Sequence, residues 1–250
     1  MALRYHRSAT TGLRQGLCVI FGTMPPPRQR ARSRQDKELR RTDFLQAARE
    51  LAHERGVRDV TLTAVTARVG LHPSALRRYF ESREELLLEL AEEGWLSWQH
   101  GLVSGLGHAQ ALSADEAARI ISGSLEALPL FCDLVTHAVL SLEGAVRLER
   151  ARRYKVASFA AYDAMTEALV ATVSDLDHEG ARTVLTTAMS AAAYLFQVSR
   201  PTATLKQLYA SEPRWAHDAL RFREQLTALL TTVVLGAQQQ TRELAAIREP

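Results

Sequence analysis

The segment from Thr61 to Phe80, TLTAVTARVGLHPSALRRYF, constrains the fold of this chain more than any other stretch. Apolar side chains such as Val65 and Val69 recur at helical spacing in its first half. Gly70 can adopt the left-handed conformation that ends a helix, and Pro73 suits the first turn of the next one. The pattern therefore predicts two short helices joined by a tight turn, which is a helix-turn-helix motif.

The residues before this motif predict a third helix. Its apolar positions follow the spacing i, i+3, i+4, i+7 and i+8, and they are Phe44, Ala47, Ala48, Leu51 and Ala52. Gly56 can end that helix. A three-helix unit is therefore predicted from about Arg41 to Phe80.

This unit is similar to a known DNA-binding domain. The string FLQAARELAHERGVRDVTLTAVTARVGLHPSALRRYFESREELL, residues 44–87, resembles the N-terminal domain of the TetR family of bacterial transcriptional repressors. The family commonly has a serine, a tyrosine and a histidine where this chain has His72, Arg77 and Tyr79. The resemblance implies an all-α fold with an N-terminal three-helix DNA-binding domain and a C-terminal helical bundle for ligand binding and dimerisation.

The candidate DNA contacts lie on or beside the second helix of the motif. They are Thr61, His72, Ser74, Ala75, Arg77, Arg78, Tyr79 and Arg83. Arg78 and Arg77 are the strongest candidates, because an arginine can donate two hydrogen bonds to guanine in the major groove or can hold a phosphate. By family position, Arg77 and Tyr79 are expected to contact the DNA backbone, and Arg83 a phosphate. Thr61 is expected to cap the first helix of the motif and to bind a phosphate.

Charge is concentrated at the N-terminus. The whole chain has a formal net charge of only +3, but residues 1–41 hold ten lysines and arginines and two acids, a balance of +8. Basic charge beside a helix-turn-helix favours phosphate binding. Residues 1–38 lack helical periodicity and are predicted to form a disordered basic arm. For Arg83 and Arg68 the alternative is a solvated charge that pairs with nearby glutamates, and for Arg68 that pairing is predicted in preference to a DNA contact.

Composition and periodicity predict an all-α protein, since 46% of the residues are hydrophobic and sustained period-two alternation is absent. Residues 39–86 are assigned to the DNA-binding domain and residues 87–250 to the effector-binding and dimerisation domain. Further helices are predicted from Ser82 past Trp98 and over about 114–128, 130–142, 147–173, 178–198 and 215–247. By resemblance, the last two pair with their symmetry mates in a homodimer; the alternative is that both close the monomer core.

The sequence lacks the motifs of other function classes. Cys18 and Cys132 are far apart and show no metal-ligand spacing, which predicts a cytoplasmic protein without a structural metal. The apolar run over residues 17–21 is too short for a membrane span. A P-loop, a GxGxxG motif and a glycine-framed nucleophile are absent, so neither an enzyme nor a cofactor is predicted. An all-α enzyme with a vestigial motif would require convergent titratable groups.

The resemblance implies that the helical bundle houses an unknown small-molecule effector. The candidate lining residues are Phe131, His137, Tyr154, Phe159, Tyr162, Met165 and Tyr194, together with Cys132 and Met189. For each of them the alternative is a place in the core. The leading hypothesis is a homodimeric repressor that binds a palindromic double-stranded DNA operator and releases it when the effector binds. The alternative is a ligand-independent DNA-binding regulator or an activator.

Overall fold

The computed structural model describes residues 27–216 and 221–248, which form ten α-helices and no β-strand. The first three helices are α1 (Pro27–Arg55), α2 (Leu62–Arg68) and α3 (Pro73–Leu76). A short 3₁₀ turn, Val57–Asp59, lies between α1 and α2. The predicted three-helix unit is therefore present, although α3 is a single turn that continues into turn conformation.

Local chemistry explains the ends of α2 and α3. Thr61 caps α2 because its hydroxyl oxygen accepts the backbone N–H of Ala64 at 3.1 Å. Gly70 takes a φ of +68°, which an L-residue rarely adopts, and so turns the chain toward α3. Pro73 occupies the first turn of α3, as the sequence indicates.

The expected disordered arm requires a correction at its C-terminal end. Helix α1 begins at Pro27, so residues 27–38, assigned to the arm, are helical. This segment lacks an apolar face, but it is rich in arginine, glutamine and other residues that lose little rotamer freedom in a helix. Proline at the first position starts the helix without losing a backbone bond. The prediction for residues 1–26 lies outside the described residues.

The remaining helices are α4 (Arg83–Leu106), α5 (Ala114–Glu126), α6 (Pro129–His137), α7 (Leu148–Thr172), α8 (His178–Val198), α9 (Ala203–Ser211) and α10 (Phe222–Arg248). Between α6 and α7, Ala138–Leu142 is a π-helical turn and Glu143–Ala145 a 3₁₀ turn. Ser82 caps α4 by accepting the N–H of Glu85, whereas the Glu85 carboxylate accepts the N–H of Glu81. A capping box, in which the Glu85 carboxylate would accept the N–H of Ser82, is therefore only half formed.

One predicted helix is divided in the structure. The periodicity suggested a helix over 215–247, but α10 begins at Phe222 and Trp215 ends a 3₁₀ turn. Helix α9, which the sequence analysis missed, precedes that turn and has no fully buried residue. Its exposure explains the omission, because a helix that buries little carries a weak apolar pattern.

Three helix pairings build the core of the C-terminal half. Helix α10 packs against α5 and α8, and α4 packs against α7. The buried residues of α10 include Leu226, Leu230 and Val234, at helical spacing. The proposed domain boundary at residue 86 falls within α4, so that helix continues from the DNA-binding region into the bundle.

Among the described residues, no single helix has the length and apolar character needed to cross a membrane. One pair, Ala114–Glu126 and Pro129–Ala145, meets those two criteria only when its parts are combined, and it is bent by 83°.

Candidate nucleic-acid interface and ligand cavity

The helix-turn-helix presents a polar, cationic face. His72, Ser74, Arg77 and Arg78 are exposed, while Ala75 is half-buried. The guanidinium groups of Arg77 and Arg78 have no hydrogen-bond or ion-pair partner in the part of the chain that the structure describes. Leu76 is fully buried and fixes α3 to the core. Two guanidinium groups are thus free to contact an external anion.

His72 also has a local role that sequence reasoning missed. It is the N-cap of α3, and its ring Nδ1 accepts the backbone N–H of Ser74 at 3.3 Å. The same nitrogen lies 3.0 Å from the Ser74 hydroxyl. Both side chains remain exposed, so they shape the first turn of α3 at the surface.

Tyr79 is held by packing at the end of the motif. Its ring centroid lies 5.4 Å from that of Phe44 on α1. Arg41 donates a hydrogen bond to the carbonyl oxygen of Tyr79 at 3.3 Å and stacks over the ring of Phe80, 4.6 Å from its centroid. Arg41 also pairs with Glu89 on α4, with Nε 2.8 Å from Oε1. The motif is therefore fastened to both α1 and α4.

The Arg83 side chain is partly buried and contacts the backbone of the protein. Its guanidinium donates to the carbonyl oxygens of Val57 at 2.7 Å, of Arg58 at 3.2 Å and of Val60. These carbonyls belong to the turn that precedes α2, so Arg83 anchors that turn to the start of α4. The sequence placed Arg83 beside the motif but carried no signal for these backbone acceptors.

Arg68 pairs with the acids of α1, as predicted. Its guanidinium lies 2.7 Å from a carboxylate oxygen of Glu54 and 3.4 Å from one of Glu50. The hydrogen bond from Arg68 holds the pKa of Glu54 below its ordinary value. Arg68 therefore differs from Arg77 and Arg78, whose charges are unpaired among the described residues.

A buried carboxylate connects the DNA-binding region to the bundle. Asp133 on α6 accepts the backbone N–H of Val57 at 2.9 Å through Oδ2 and the amide of Gln197 on α8 at 2.9 Å through Oδ1. His137 Nε2 lies 3.6 Å from Oδ1. Burial acts to raise the pKa of Asp133, but hydrogen bonds from His137, Val57 and Gln197 outweigh it, so the pKa lies below its ordinary value.

Ion pairs make a second connection, between the start of α7 and the start of α4. Arg147 pairs with Glu81 at 2.7 Å and with Glu85 at 3.0 Å. Further along α7, Arg150 donates to Glu92 at 2.7 Å and is only 6% exposed. Its Nε and Nη2 atoms are buried without a hydrogen-bond partner in the described structure. Helix α7 is thus tied to α4 at successive points along both helices.

The bundle contains a cavity of about 350 Å³. Its lining residues are Trp95, Val135, Ala138, Val139, Glu143, Tyr154, Lys155, Ser158, Phe159, Tyr162, Arg182, Thr186 and Met189. They come from α4, α6, α7, α8 and the irregular segment between α6 and α7. This volume lies within the range of small-molecule sites, which is about 300 to 1,000 Å³.

The cavity brings together only part of the predicted set. Tyr154, Phe159, Tyr162 and Met189 line it, and Tyr154 and Tyr162 are a little over two helical turns apart on α7. The other lining residues were not predicted. Most of the missed residues are small or charged, and a search for bulky or polar-tipped side chains does not select them.

The other predicted residues lie elsewhere. Phe131 packs between Trp95 and Trp98, with ring centroids 5.4 and 5.9 Å away, and approaches the backbone of Gly94 closely. Met165 is fully buried in the core and Tyr194 is 67% exposed on α8. His137 contacts Asp133 instead of the cavity. Cys132 is buried and donates its thiol to the carbonyl of Leu125, outside the cavity lining.

Two tyrosines of the cavity have different hydrogen-bonding states. The Tyr162 hydroxyl donates to the carbonyl of Arg182 at 2.6 Å and lies 2.8 Å from the Thr186 hydroxyl, so both its donor and an acceptor site are used. The Tyr154 hydroxyl accepts the indole N–H of Trp95 at 3.0 Å. Burial raises the pKa of Tyr154 to about 12, so its phenol stays protonated and can donate one further hydrogen bond.

The charges of the cavity are paired. Lys155 Nζ lies 2.6 Å from Glu143 and 5.8 Å from the centroid of the Tyr154 ring. Arg182 lies 2.7 Å from Asp163, and its guanidinium carbon is 5.6 Å from the centroid of the Tyr162 ring. Across the described residues, no group of three or more histidine, cysteine, aspartate and glutamate side chains is arranged to hold a metal ion.

Comparisons with known proteins agree with this arrangement. The family model described as bacterial regulatory proteins, tetR family, matches residues 44–90. The model described as tetracyclin repressor-like, C-terminal domain, matches residues 92–241, which is more than half of the chain. A search of curated proteins finds no match.

Solved structures share the fold at low sequence identity. A putative transcriptional regulator from a Rhodococcus species is 21% identical with a TM-score of 0.54, and the match covers 80% of this chain and 94% of that one. The regulator PfmR from Thermus thermophilus is 15% identical with a TM-score of 0.50, covering 76% of this chain and 96% of that one.

The two family models together define the class: this chain is a member of the TetR family. It is a DNA-binding transcriptional regulator with an N-terminal helix-turn-helix domain and a C-terminal helical domain.

Proposed function

We propose that this regulator is a homodimeric repressor that binds a palindromic operator through residues 61–83 and releases it when a small molecule enters the cavity. The observation that carries the proposal is the pairing, within one chain, of a motif with two unpartnered arginines and a cavity of about 350 Å³, both among the described residues. Helices α4 and α7 run between these two features.

The reading of DNA depends on α3. A helix-turn-helix places the first turn of its second helix against base edges in the major groove. Arg78 is the residue that reads a guanine, and Arg77 binds a phosphate. The remaining predicted contacts, Thr61, His72, Ser74, Ala75 and Tyr79, surround these two arginines and supply phosphate contacts and weaker base contacts. Arg83 acts on this surface by holding the turn before α2, because its guanidinium binds that turn's carbonyl oxygens.

Exposed apolar residues support dimerisation through α8 and α10. Tyr194 on α8 is 67% exposed, and on α10 Leu229 and Leu235 are 42% and 52% exposed. Other residues of the same two helices, such as Ala188 and Leu230, are buried in the monomer core, so the proposed dimer contact would use a different face of each helix. A two-fold dimer would present two α3 helices to two half-sites, which accounts for a palindromic operator.

Ion pairs couple the cavity to the helix-turn-helix in this proposal. Helix α7 lines the cavity with Tyr154 and Tyr162, and the residue preceding it, Arg147, pairs with Glu81 and Glu85 at the end of the motif. A ligand that shifts α7 therefore changes the position of the motif. If ligand and DNA favour different arrangements of the dimer, each weakens binding of the other by the same factor.

The ligand-independent alternative requires a tightly packed C-terminal domain. The open cavity of about 350 Å³ supports an effector-dependent regulator instead, since its volume is that of a small-molecule site and most of its lining is apolar or aromatic.

The test is selection of binding sites from a random DNA pool with the purified protein, followed by titration of the winning site in rising salt. A two-fold symmetric consensus is expected, and its affinity should fall steeply with salt because phosphate contacts release counterions. An Arg78→Ala variant selected in parallel is the control for base reading. Equal binding of the selected site and random DNA would contradict the proposal.

A further inference from the structure

The walls of the cavity separate into an apolar part and a charged part. Trp95, Val135, Ala138, Val139, Phe159 and Met189 provide the apolar surface. The charged lining residues in the described structure are Lys155, Arg182 and Glu143. A ligand that fills this space must therefore have an apolar body and must match a small set of charges.

The sign of those charges favours an anion. Two cations and one carboxylate line the cavity, and that carboxylate, Glu143, is already neutralised by Lys155 at 2.6 Å. Lys155 and Arg182 also lie over the faces of Tyr154 and Tyr162. A ligand cation would have to compete with them for both rings and for Glu143, whereas a ligand anion meets cations already in place.

Arg182 is the better of the two anchors. Its partner Asp163 does not line the cavity, and the two side chains are 50% and 56% exposed, so the pair is weak and exchangeable. Lys155 is bound to Glu143, which is only 19% exposed and is a stronger competitor. A guanidinium also offers a planar pair of donors that matches a carboxylate. Tyr154 can donate one further hydrogen bond inside the cavity.

We infer that the effector is an amphipathic anion, with a carboxylate that replaces Asp163 on Arg182 and an apolar body that packs among Trp95, Phe159 and Met189. The inference rests on the proposed function only in calling this ligand the effector. The binding chemistry depends on the cavity alone and can be measured without DNA.

The experiment compares decanoate, decanol and decylammonium, which share one apolar body and differ in charge. Binding is followed by thermal shift and by tryptophan fluorescence, since Trp95 lines the cavity. Decanoate should bind the wild-type protein more tightly than decanol, and decylammonium should bind most weakly. Equal binding of decanoate and decanol, preferential binding of decylammonium, or no binding of decanoate would overturn the inference.

Two variants test the assigned contact in opposite directions. Arg182→Gln should weaken decanoate binding about tenfold and leave decanol unchanged, since a charge-assisted hydrogen bond is lost. Asp163→Asn should strengthen decanoate binding about two- to fivefold, because it removes an exposed competitor. A gain of affinity cannot result from misfolding. Unchanged decanoate affinity in both variants would overturn the role of Arg182.

Operator binding by the same preparations separates this inference from the proposed function. If decanoate binds as expected but does not release a selected operator, the ligand chemistry stands and effector-controlled release fails. If the operator is bound with normal affinity and decanoate does not bind, the DNA-binding function stands and the inference fails.

Discussion

The guanidinium groups at the end of α3 are unpaired among the described residues, whereas the cationic side chains of the cavity are paired. On α3 the guanidinium groups of Arg77 and Arg78 are exposed and have no partner among the described residues. In the cavity, Lys155 and Arg182 are each paired with a carboxylate. An exposed cation without a carboxylate neighbour remains free for DNA phosphates, whereas each cavity cation, about half exposed, already has a carboxylate partner that a ligand anion would have to displace. The arginines of α3 can therefore bind phosphates without first breaking an ion pair. In the cavity, an anionic ligand would have to replace the carboxylate that is already paired with the cation.

The two regions also differ in how their residues are assembled. The predicted DNA contacts span residues 61–83, while the cavity lining extends from Trp95 to Met189 over four helices and an irregular segment. Local sequence can predict the first arrangement but not the second. The following predictions test whether the difference in charge and assembly has measurable consequences.

The largest effect is expected on the unpaired charge of α3. Arg78→Ala should weaken binding to the selected operator by about 1 to 3 kcal/mol, because a bidentate base contact is lost. Fluorescence anisotropy with a labelled operator measures this loss. Arg68→Ala is the matched control on the same motif, and it should change affinity far less because Arg68 is paired with Glu54. Equal losses in both variants would contradict the distinction between paired and unpaired arginines.

A second prediction concerns the carboxylate that joins the two regions. Asp133→Asn should destabilise the protein by about 1.5 to 3 kcal/mol at neutral pH, because the amide lacks the charge and places an NH2 donor against one of the two N–H donors that the carboxylate accepts. The folded-state pKa of Asp133 lies below its ordinary value, so its contribution is present above the unfolded pKa and is lost as the pH falls through the folded pKa. Urea unfolding across acidic pH measures both effects.

The variant should show a shallower decline in the free energy of unfolding on the acid side than the wild type. Asp163→Asn, on an exposed carboxylate of the bundle, is the matched control and should leave the acid profile nearly unchanged. If the free energy of unfolding fell equally with pH in wild type and Asp133→Asn, Asp133 would not contribute to the loss of stability in acid.

The third prediction separates anchoring from phosphate binding at Arg83. Arg83→Ala should destabilise the protein by about 1 to 2 kcal/mol, because three carbonyl oxygens lose their donor. The salt dependence of operator binding should remain close to that of wild type if the residue acts by holding the turn. Thermal unfolding and a salt titration measure the two properties separately. A normal melting temperature with a salt slope reduced by about one unit would instead identify Arg83 as a phosphate contact.

The smallest effect is expected inside the cavity. Tyr154→Phe removes the acceptor of the Trp95 indole N–H and should destabilise the protein by about 1 kcal/mol. Tryptophan emission should change because Trp95 loses its hydrogen bond, while operator affinity without ligand should stay the same. Tyr162→Phe, on the same helix, should leave the tryptophan emission unchanged. A large loss of operator affinity in Tyr154→Phe would show that the two regions are not separable.

The sequence predicted the elements whose signals are local. The cap at Thr61, the left-handed Gly70 and the start of α3 at Pro73 all appear as expected, because each depends on neighbours within a few residues. The bounds of α8 were also predicted closely. The start of α1 and the separate α9 were missed, because an exposed helix carries no apolar face for the pattern to reveal.

For the cavity, the sequence identified Tyr154, Phe159, Tyr162 and Met189 but not their surroundings. Residue type cannot distinguish a tyrosine that lines a cavity from a phenylalanine such as Phe131 that fills a core. Nor can residue type show that Lys155 pairs with Glu143. That ion pair forms only because the 3₁₀ turn that contains Glu143 packs beside α7.

Residue order alone therefore specified the class of protein, the helix-turn-helix and the polar residues of its second helix, since these depend on short-range backbone chemistry and a contiguous motif. Packing of distant helices decided which side chains enclose the cavity, that Arg83 turns inward, and that Asp133 joins α6 to Val57. The physical reason is that caps, turns and apolar periodicity are set by neighbours within a few residues, whereas burial, pairing of charge and cavity shape depend on segments that are distant in sequence.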